Sequence, residues 1–121
     1  MKLWYSNSSP YARKVRAVVQ YHQLQDHVEL LLATSGLDKN SPHNLDNPLG
    51  RLPALQRENG EWLYNSSLIA EYLDHIGTQP SLYGNSETRW EILRLHYLAD
   101  GILENEISVV PEKRLRPQEQ W

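Results

Sequence analysis

Two serines stand directly before a proline near the start of the chain, where an apolar run gives way to a helical pattern. Residues 6–11 contain Ser8 and Ser9 followed by Pro10. Proline is favoured at the first position of a helix, and serine is favoured as the N-cap residue before it. The first N–H groups of a helix are unpaired and carry partial positive charge, so this position suits an anion or a thiolate. An ordinary capping role for Ser9 explains the same residues, and both interpretations stay open.

The composition of the 121 residues argues against several kinds of site. The chain has no cysteine, which excludes a disulfide framework and dithiol redox chemistry and fits a cytoplasmic protein. A net charge of −3 disfavours nucleic-acid binding. The histidines show no ligand-pair spacing, so no metal is expected. No apolar run has the length of a membrane span, so no membrane partner is expected either.

The elements that would position the serine segment begin with a predicted β-α-β unit. A strand over residues 2–5, an amphipathic helix over 11–23 and a strand over 28–32 predict a right-handed crossover. Residues 34–48 are rich in Gly, Pro, Asn and Asp, which predicts irregular structure with about one helical turn.

A β-hairpin and a second amphipathic helix are predicted after Pro53. The Asn-Gly pair at residues 59–60 is a strong hairpin signal and lies between two short apolar runs. The helix begins with Asn65 or Ser66 as its cap and ends at Gly77. The order is therefore β-α-β followed by β-β-α, an α/β fold of one compact domain.

A third helix, predicted from about residue 87 to about residue 108 with Asn85 or Ser86 as its cap, is apolar over most of its surface. Such a helix should be buried between other elements, but only the charged, proline-bearing residues 109–121 follow it. We therefore expect that the chain is a fragment of a longer protein, or that this helix packs on another copy. The predicted division is a domain over 1–77, a linker over 78–85 and a helical segment over 86–121.

Three segments resemble the cytosolic glutathione S-transferase family, in the order and spacing of that family. They are residues 8–16, 47–55 and 63–73. Residues 99–104 and 114–117 also resemble the start of the helical second domain of bacterial members. The resemblance implies a thioredoxin-like, glutathione-binding domain over 1–77, followed by the first helix of a truncated all-helical domain over 86–121. Full members of that family are considerably longer.

The resemblance implies a glutathione site with residues from two of these segments. Pro53 would be the cis-proline, although the general frequency of cis X–Pro bonds is only about one in twenty, and the Leu52 backbone would pair with the cysteinyl part of glutathione. Ser66 would receive the γ-glutamyl carboxylate, which suits a helix N-terminus. Asn65 occupies a position that is usually acidic in the family, so the ionic part of a contact with the γ-glutamyl amine is lost. Arg51 would reach the glycyl carboxylate.

The activity implied by the resemblance is that of a glutathione transferase. A serine hydroxyl at the helix N-terminus would stabilise the glutathione thiolate, lower the pKa of the thiol and leave it to attack a small electrophile. We favour Ser9 as this catalytic serine, with Ser8 as the alternative. The family further implies a bacterial, cytoplasmic homodimer with a role in detoxification, which uses glutathione as co-substrate and needs no metal.

The main alternative is a non-catalytic binding or regulatory protein with the same fold. Asn65 and the missing remainder of a second domain both favour it, and the 121-residue chain by itself would then be inactive. A thioredoxin-type reductase is a weaker alternative, because that chemistry needs cysteine.

Overall fold

The computed structural model describes residues 1–34, 38–115 and 118, with the side chain of Leu115 excepted. The chain divides into two units, Met1–Leu82 and Tyr83–Trp121. The first unit contains β1 (Lys2–Tyr5), α1 (Pro10–Tyr21), a 3₁₀ turn (Gln25–His27), β2 (Glu29–Leu32), α2 (His43–Asp46), β3 (Ala54–Gln56), β4 (Trp62–Tyr64) and α3 (Ser66–Ile76). The second unit contains α4 (Arg89–Leu115). Among the residues described, no helix combines the length and the apolar character needed to cross a membrane.

The first unit is built on one mixed sheet of four strands in the order β2-β1-β3-β4. β1 and β2 are parallel and are joined by α1, whereas β3 pairs antiparallel with both β1 and β4. This is the predicted thioredoxin-like arrangement, with β-α-β followed by β-β-α, and the prediction is confirmed.

The core of the first unit lies between the sheet and the helices α1 and α3, which contact each other. Its fully buried side chains come from all of these elements: Leu3 of β1, Val15 of α1, Leu55 of β3, and Ile69 and Leu73 of α3. Each contributes about 1.5–3 kcal/mol by leaving water. The opposite face carries α2, because Trp4, which alternates with Leu3, donates from Nε1 to Asp46 Oδ2 at 2.7 Å.

The helix boundaries differ most from the prediction in the second unit. The helix was predicted to end at about residue 108, but α4 continues through Pro111 to Leu115. Pro111 removes one backbone donor, yet the charged and apolar residues after it are good helix formers and each adds a further helical hydrogen bond. Of the segment predicted to be irregular, residues 35–37 lie outside the described residues, and the predicted single turn is α2.

A buried histidine–aspartate pair ties the ends of α1 and α3 to the segment that follows α3. Asp74 Oδ1 lies 2.8 Å from His22 Nε2 and also accepts from the Leu82 N–H, while Oδ2 accepts from Ser81 Oγ at 2.6 Å. The Gln79 N–H donates to His22 Nδ1 at 3.3 Å, so the ring proton lies on Nε2 and is donated to Asp74.

Gly77 ends α3 as predicted, but for a different physical reason. Its φ of −71° is open to any residue, so the left-handed conformation of many helix-ending glycines is not the cause. A Cβ at position 77 would instead overlap the imidazole of His22. The glycine is therefore required by the close approach of the buried histidine.

The pKa of Asp74 links this pair to the stability of the fold at acidic pH. Burial would raise the pKa, but the hydrogen bonds from Ser81, the Leu82 backbone and His22 together hold it below its ordinary value. The unfolded chain, with an ordinary pKa of about 3.9, then binds the proton more readily than the folded chain. The stability that Asp74 contributes is present above about pH 4 and is lost as the pH falls through the lower, folded-state pKa.

We expect Asp74→Asn to lower the free energy of unfolding at pH 7 by about 1–3 kcal/mol, because buried partners lose a charged acceptor. The difference from wild type should shrink as the pH falls below about 4. Thermal melts followed by circular dichroism between pH 7 and pH 2.5 measure both effects. Asp26→Asn, which changes an exposed carboxylate, is the control. A stability difference between Asp74→Asn and wild type that stays constant with pH would contradict this linkage.

Candidate functional site

The register of the sheet brings the predicted site segments to one edge. Ala54 of β3 pairs with Trp4 of β1 on one side and with Tyr64 of β4 on the other. Because both pairings are antiparallel, moving two residues back from Ala54 moves two residues forward on each neighbour. Leu52, two residues before β3, therefore lies at the end of the sheet where Ser66 follows β4 and a turn follows β1. The N-termini of α1 and α3 begin at this same edge.

Ser9 is the N-cap residue of α1. Its Oγ accepts a hydrogen bond from the Ala12 N–H at 3.1 Å, and Pro10 is the first helical residue. This capping bond uses the hydroxyl oxygen as an acceptor and leaves its proton to be donated elsewhere. Ser8 is exposed in the preceding turn, and within the described ranges its hydroxyl makes no hydrogen bond. The structure thus holds the hydroxyl of Ser9, and not that of Ser8, at the helix N-terminus.

Asn65 is the N-cap residue of α3, with its Oδ1 accepting from the Ser67 N–H at 2.8 Å. Its φ of 76° and ψ of 122° are sparsely populated for a residue with a side chain and cost about 1–3 kcal/mol. Ser66 follows as the first helical residue and is 6% exposed. Neither its hydroxyl nor its N–H has a partner within residues 1–34 and 38–115. Strain in the backbone therefore coincides with unpaired donors at this helix N-terminus.

The segment before β3 has the backbone form that the resemblance implied. The Leu52–Pro53 peptide bond is cis, and Pro53 is buried. Sheet pairing begins at Ala54, and the Leu52 N–H has no hydrogen-bond partner in the described part of the chain. The Arg51 side chain is exposed, so it is accessible to a ligand.

Asn47, the residue directly after α2, contacts the segment before Leu52. It was not predicted to have a role. It is 1% exposed, and its Nδ2 donates to the Arg51 carbonyl at 2.7 Å. Its Oδ1 accepts from the Leu49 N–H at 2.9 Å. An asparagine directly before a proline, within a turn-rich stretch, is the only sequence signal that points to such a local bond.

Lys14 was also not predicted as a site residue, and it joins the N-terminal turns of α1 and α3. Its Nζ donates to Ser67 Oγ at 3.3 Å and lies 5.8 Å from the centre of the Tyr11 ring. A positive charge beside the α3 N-terminus adds to the attraction of the helix dipole for an anion. No spacing along the chain relates Lys14 to Ser67, so the sequence alone does not indicate this contact.

A groove of about 510 Å³ lies beside the turn that follows β1, with Asn7 and Arg13 among its lining residues. None of the predicted site residues lines it. Within the described ranges, no three His, Cys, Asp or Glu side chains are placed to hold a metal ion. The donors that the predicted site offers are hydroxyls, backbone N–H groups and cations, which suit a ligand with carboxylates.

A family model described as the glutathione S-transferase N-terminal domain matches residues 8–76. The chain belongs to the glutathione S-transferase family. The uncharacterized GST-like protein YibF of Escherichia coli K12 is 30% identical over 124 residues, which cover 93% of this chain and 55% of YibF. The maleylacetoacetate isomerase of Pseudomonas aeruginosa is 32% identical over 91 residues, which cover 74% of this chain and 43% of the isomerase. The chain therefore spans about half the length of these curated relatives.

Solved structures of bacterial family members share the fold. A glutathione S-transferase from Methylobacillus flagellatus with GSH bound is 39% identical, with a TM-score of 0.86 over 97% of this chain and 56% of that chain. A glutathione transferase family member from Pseudomonas fluorescens Pf-5 with bound glutathione is 37% identical, with a TM-score of 0.89 over 99% of this chain and 60% of that chain. These matches confirm both the predicted family and the thioredoxin-like fold.

Proposed function

We propose that this family member binds glutathione and activates its thiol as a thiolate, which attacks an electrophile in a cytoplasmic detoxification reaction. The observation that carries the proposal is that two helices begin at the same end of the sheet as the Leu52 N–H, which has no partner in the described part of the chain. In this proposal residues 1–77 form the glutathione-binding domain, and residues 86–121 begin the helical domain, with 78–85 as the linker.

The donors at the sheet edge match the acceptor groups along glutathione. Ser66 at the N-terminus of α3, with Lys14 beside it, suits the γ-glutamyl carboxylate. The free N–H of Leu52 suits the cysteinyl carbonyl, in the manner of an added strand. The exposed side chain of Arg51 suits the glycyl carboxylate.

The contributions expected from the Ser9 hydroxyl and the α1 N-terminus are of the size that thiol activation requires. A thiol with a pKa near 8.5 must be shifted by about 2 units, or about 2.7 kcal/mol, to be mainly thiolate at pH 7. A hydrogen bond to a charged group contributes about 1.5–3 kcal/mol, and a helix N-terminus about 0.3–1 kcal/mol. The serine in this mechanism donates a hydrogen bond and is not a nucleophile.

We expect Ser9→Ala to raise the pKa of the thiol of bound glutathione by at least about 1 unit, because the thiolate loses its hydroxyl donor. Its affinity for glutathione should change little. The thiolate absorbance near 240 nm, titrated with pH at saturating glutathione, gives the pKa, and calorimetry gives the affinity. Conjugation to a chloronitrobenzene, with displacement of chloride, gives the rate.

Two serine variants serve as controls for Ser9→Ala. Ser66→Ala should weaken glutathione binding and leave the pKa of the bound thiol unchanged, because Ser66 is assigned to the carboxylate. Ser8→Ala should change neither quantity. An unchanged thiol pKa in Ser9→Ala together with a raised pKa in Ser8→Ala would transfer the role to Ser8.

The non-catalytic binding or regulatory function is favoured by one observation, the amide at position 65. Asn65 uses its Oδ1 to cap α3 and brings no charge to a ligand amine. A wild-type chain that binds glutathione without lowering its thiol pKa would favour this alternative. A wild-type chain that neither binds immobilised glutathione nor gains thermal stability from it would overturn the transferase proposal.

We expect Asn65→Asp to tighten glutathione binding about tenfold, since a charged hydrogen bond to the γ-glutamyl amine is worth about 1–1.5 kcal/mol more than a neutral one. Aspartate is as good an N-cap as asparagine, so α3 should remain intact. Calorimetric titration measures the gain. Asn59→Asp adds the same charge at the β-hairpin turn, on the opposite edge of the sheet, and should leave the affinity unchanged. Equal gains in both variants would indicate a general charge effect.

We also propose that the chain forms a homodimer through α4. Leu95, Leu98, Ile102 and Val109 recur at helical spacing along one stripe and are 52%, 57%, 58% and 42% exposed. An exposed apolar stripe of this kind is typical of an interaction surface.

We expect the wild-type chain to sediment as a dimer at micromolar concentration, because association removes the α4 stripe from water. Leu98→Glu should shift it towards monomer, since a buried charge opposes association. Leu45→Glu changes a leucine of α2 that is 91% exposed and should leave the sedimentation coefficient unaltered. A monomeric wild type across the concentration range would contradict the dimer.

A further inference from the structure

We propose that Asn47 is a positioning residue, which turns the Arg51–Leu52 peptide so that the Leu52 N–H faces the ligand. This inference rests on the proposed glutathione site. Asn47 is not assigned a contact with the ligand. It acts through the Leu52 N–H, two residues before β3.

The Asn47 side chain is fixed at both of its polar ends. Nδ2 donates to the Arg51 carbonyl at 2.7 Å, and Oδ1 accepts from the Leu49 N–H at 2.9 Å. Its backbone is held as well, since its N–H donates to the His43 carbonyl and its carbonyl accepts from the Gly50 N–H, both at 2.9 Å. With 1% of the residue exposed, the amide has no freedom to rotate away.

The direction of the Leu52 N–H follows from this bond by peptide geometry. The carbonyl of Arg51 and the N–H of Leu52 belong to one planar unit, and in a trans peptide they point in opposite directions. Among the described residues the only cis bond is the next one, Leu52–Pro53, so the Arg51–Leu52 peptide is trans. Because Asn47 holds the carbonyl on the α2 side, the N–H points to the other side.

A second layer of buried contacts keeps this peptide from turning over. His43 is completely buried, with Nε2 3.1 Å from the Gly50 carbonyl and Nδ1 2.6 Å from Ser41 Oγ. Gly50, immediately before Arg51, is thus held by the His43 side chain at its carbonyl and by the Asn47 backbone carbonyl at its N–H. If the Arg51–Leu52 peptide flipped, a carbonyl would replace the N–H and face the cysteinyl carbonyl of glutathione, which is an unfavourable contact between two acceptors.

Asn47→Asp tests this role with a side chain of the same shape. It retains the acceptor for the Leu49 N–H but puts a carboxylate oxygen against the Arg51 carbonyl. We expect the glutathione affinity to fall at least tenfold in calorimetric titrations. The Leu52 N–H vector, measured from residual dipolar couplings of the ligand-free, ¹⁵N-labelled chain, should rotate away from its wild-type direction.

Asn44→Asp is the matched control, because Asn44 lies on α2, three residues before Asn47, and donates its Nδ2 to the Asp38 and Lys39 carbonyls at 3.0 and 2.9 Å. It should lower the thermal midpoint without changing the glutathione affinity or the Leu52 vector. An Asn47→Asp chain with an unchanged Leu52 vector, or with the same affinity as Asn44→Asp, would overturn the inference. If the wild-type chain does not bind glutathione, the proposed function itself fails, whereas wild-type binding with unaltered Asn47→Asp binding removes only the role of Asn47.

Discussion

The antiparallel pairing of β3 with both of its neighbours is the constraint on which the rest of the structure depends. β3 has three residues, and its central residue, Leu55, is completely buried in the core. A slip of one residue would turn Leu55 to the opposite face, so burial fixes the register strongly. The same register puts the segment before β3 at the end of the sheet where α1 and α3 begin. Packing of the core therefore places the Leu52 N–H, which has no partner among the described residues, at that end.

Much of the fold follows from local signals in the sequence. The Asn-Gly pair predicts the β3–β4 turn, and Pro10 after a serine predicts the start of α1, because both depend on the backbone preferences of one or two residues. The four strands were also predicted within one or two residues of their observed bounds, because short apolar runs bounded by turn residues are a local signal. The end of α4 was wrong, because Pro111 is a strong local stop signal and the helix formers after it outweighed that signal.

The interactions that shape the candidate site were less predictable, because they join residues that are distant along the chain. Lys14 and Ser67 are 53 positions apart, and His22 and Asp74 are 52 apart. No periodicity connects such pairs, and only the packing of α1 against α3 brings them together. Asn47 is only four positions before Arg51, but the three residues between them are irregular, and no local pattern predicts the bond between the Asn47 side chain and the Arg51 carbonyl. The sequence therefore indicated which chemical groups lie at the site more readily than the direction in which each group points.

In the proposed function, ligand binding and thiol activation are separable, because most of the groups assigned to them belong to different elements. The groups assigned to the γ-glutamyl and cysteinyl parts of the ligand lie on α3 and before β3, whereas the group assigned to the thiol caps α1. The neutral side chain of Asn65 is assigned to the first set, since its polar contact among the described residues is with the Ser67 N–H of α3. A weaker contact between residue 65 and the γ-glutamyl amine therefore leaves the Ser9 hydroxyl and the α1 dipole unchanged. Lys14, which extends from α1 to Ser67, is the direct link between the two sets, so the distance between the carboxylate site and the thiolate site depends on the packing of these two helices.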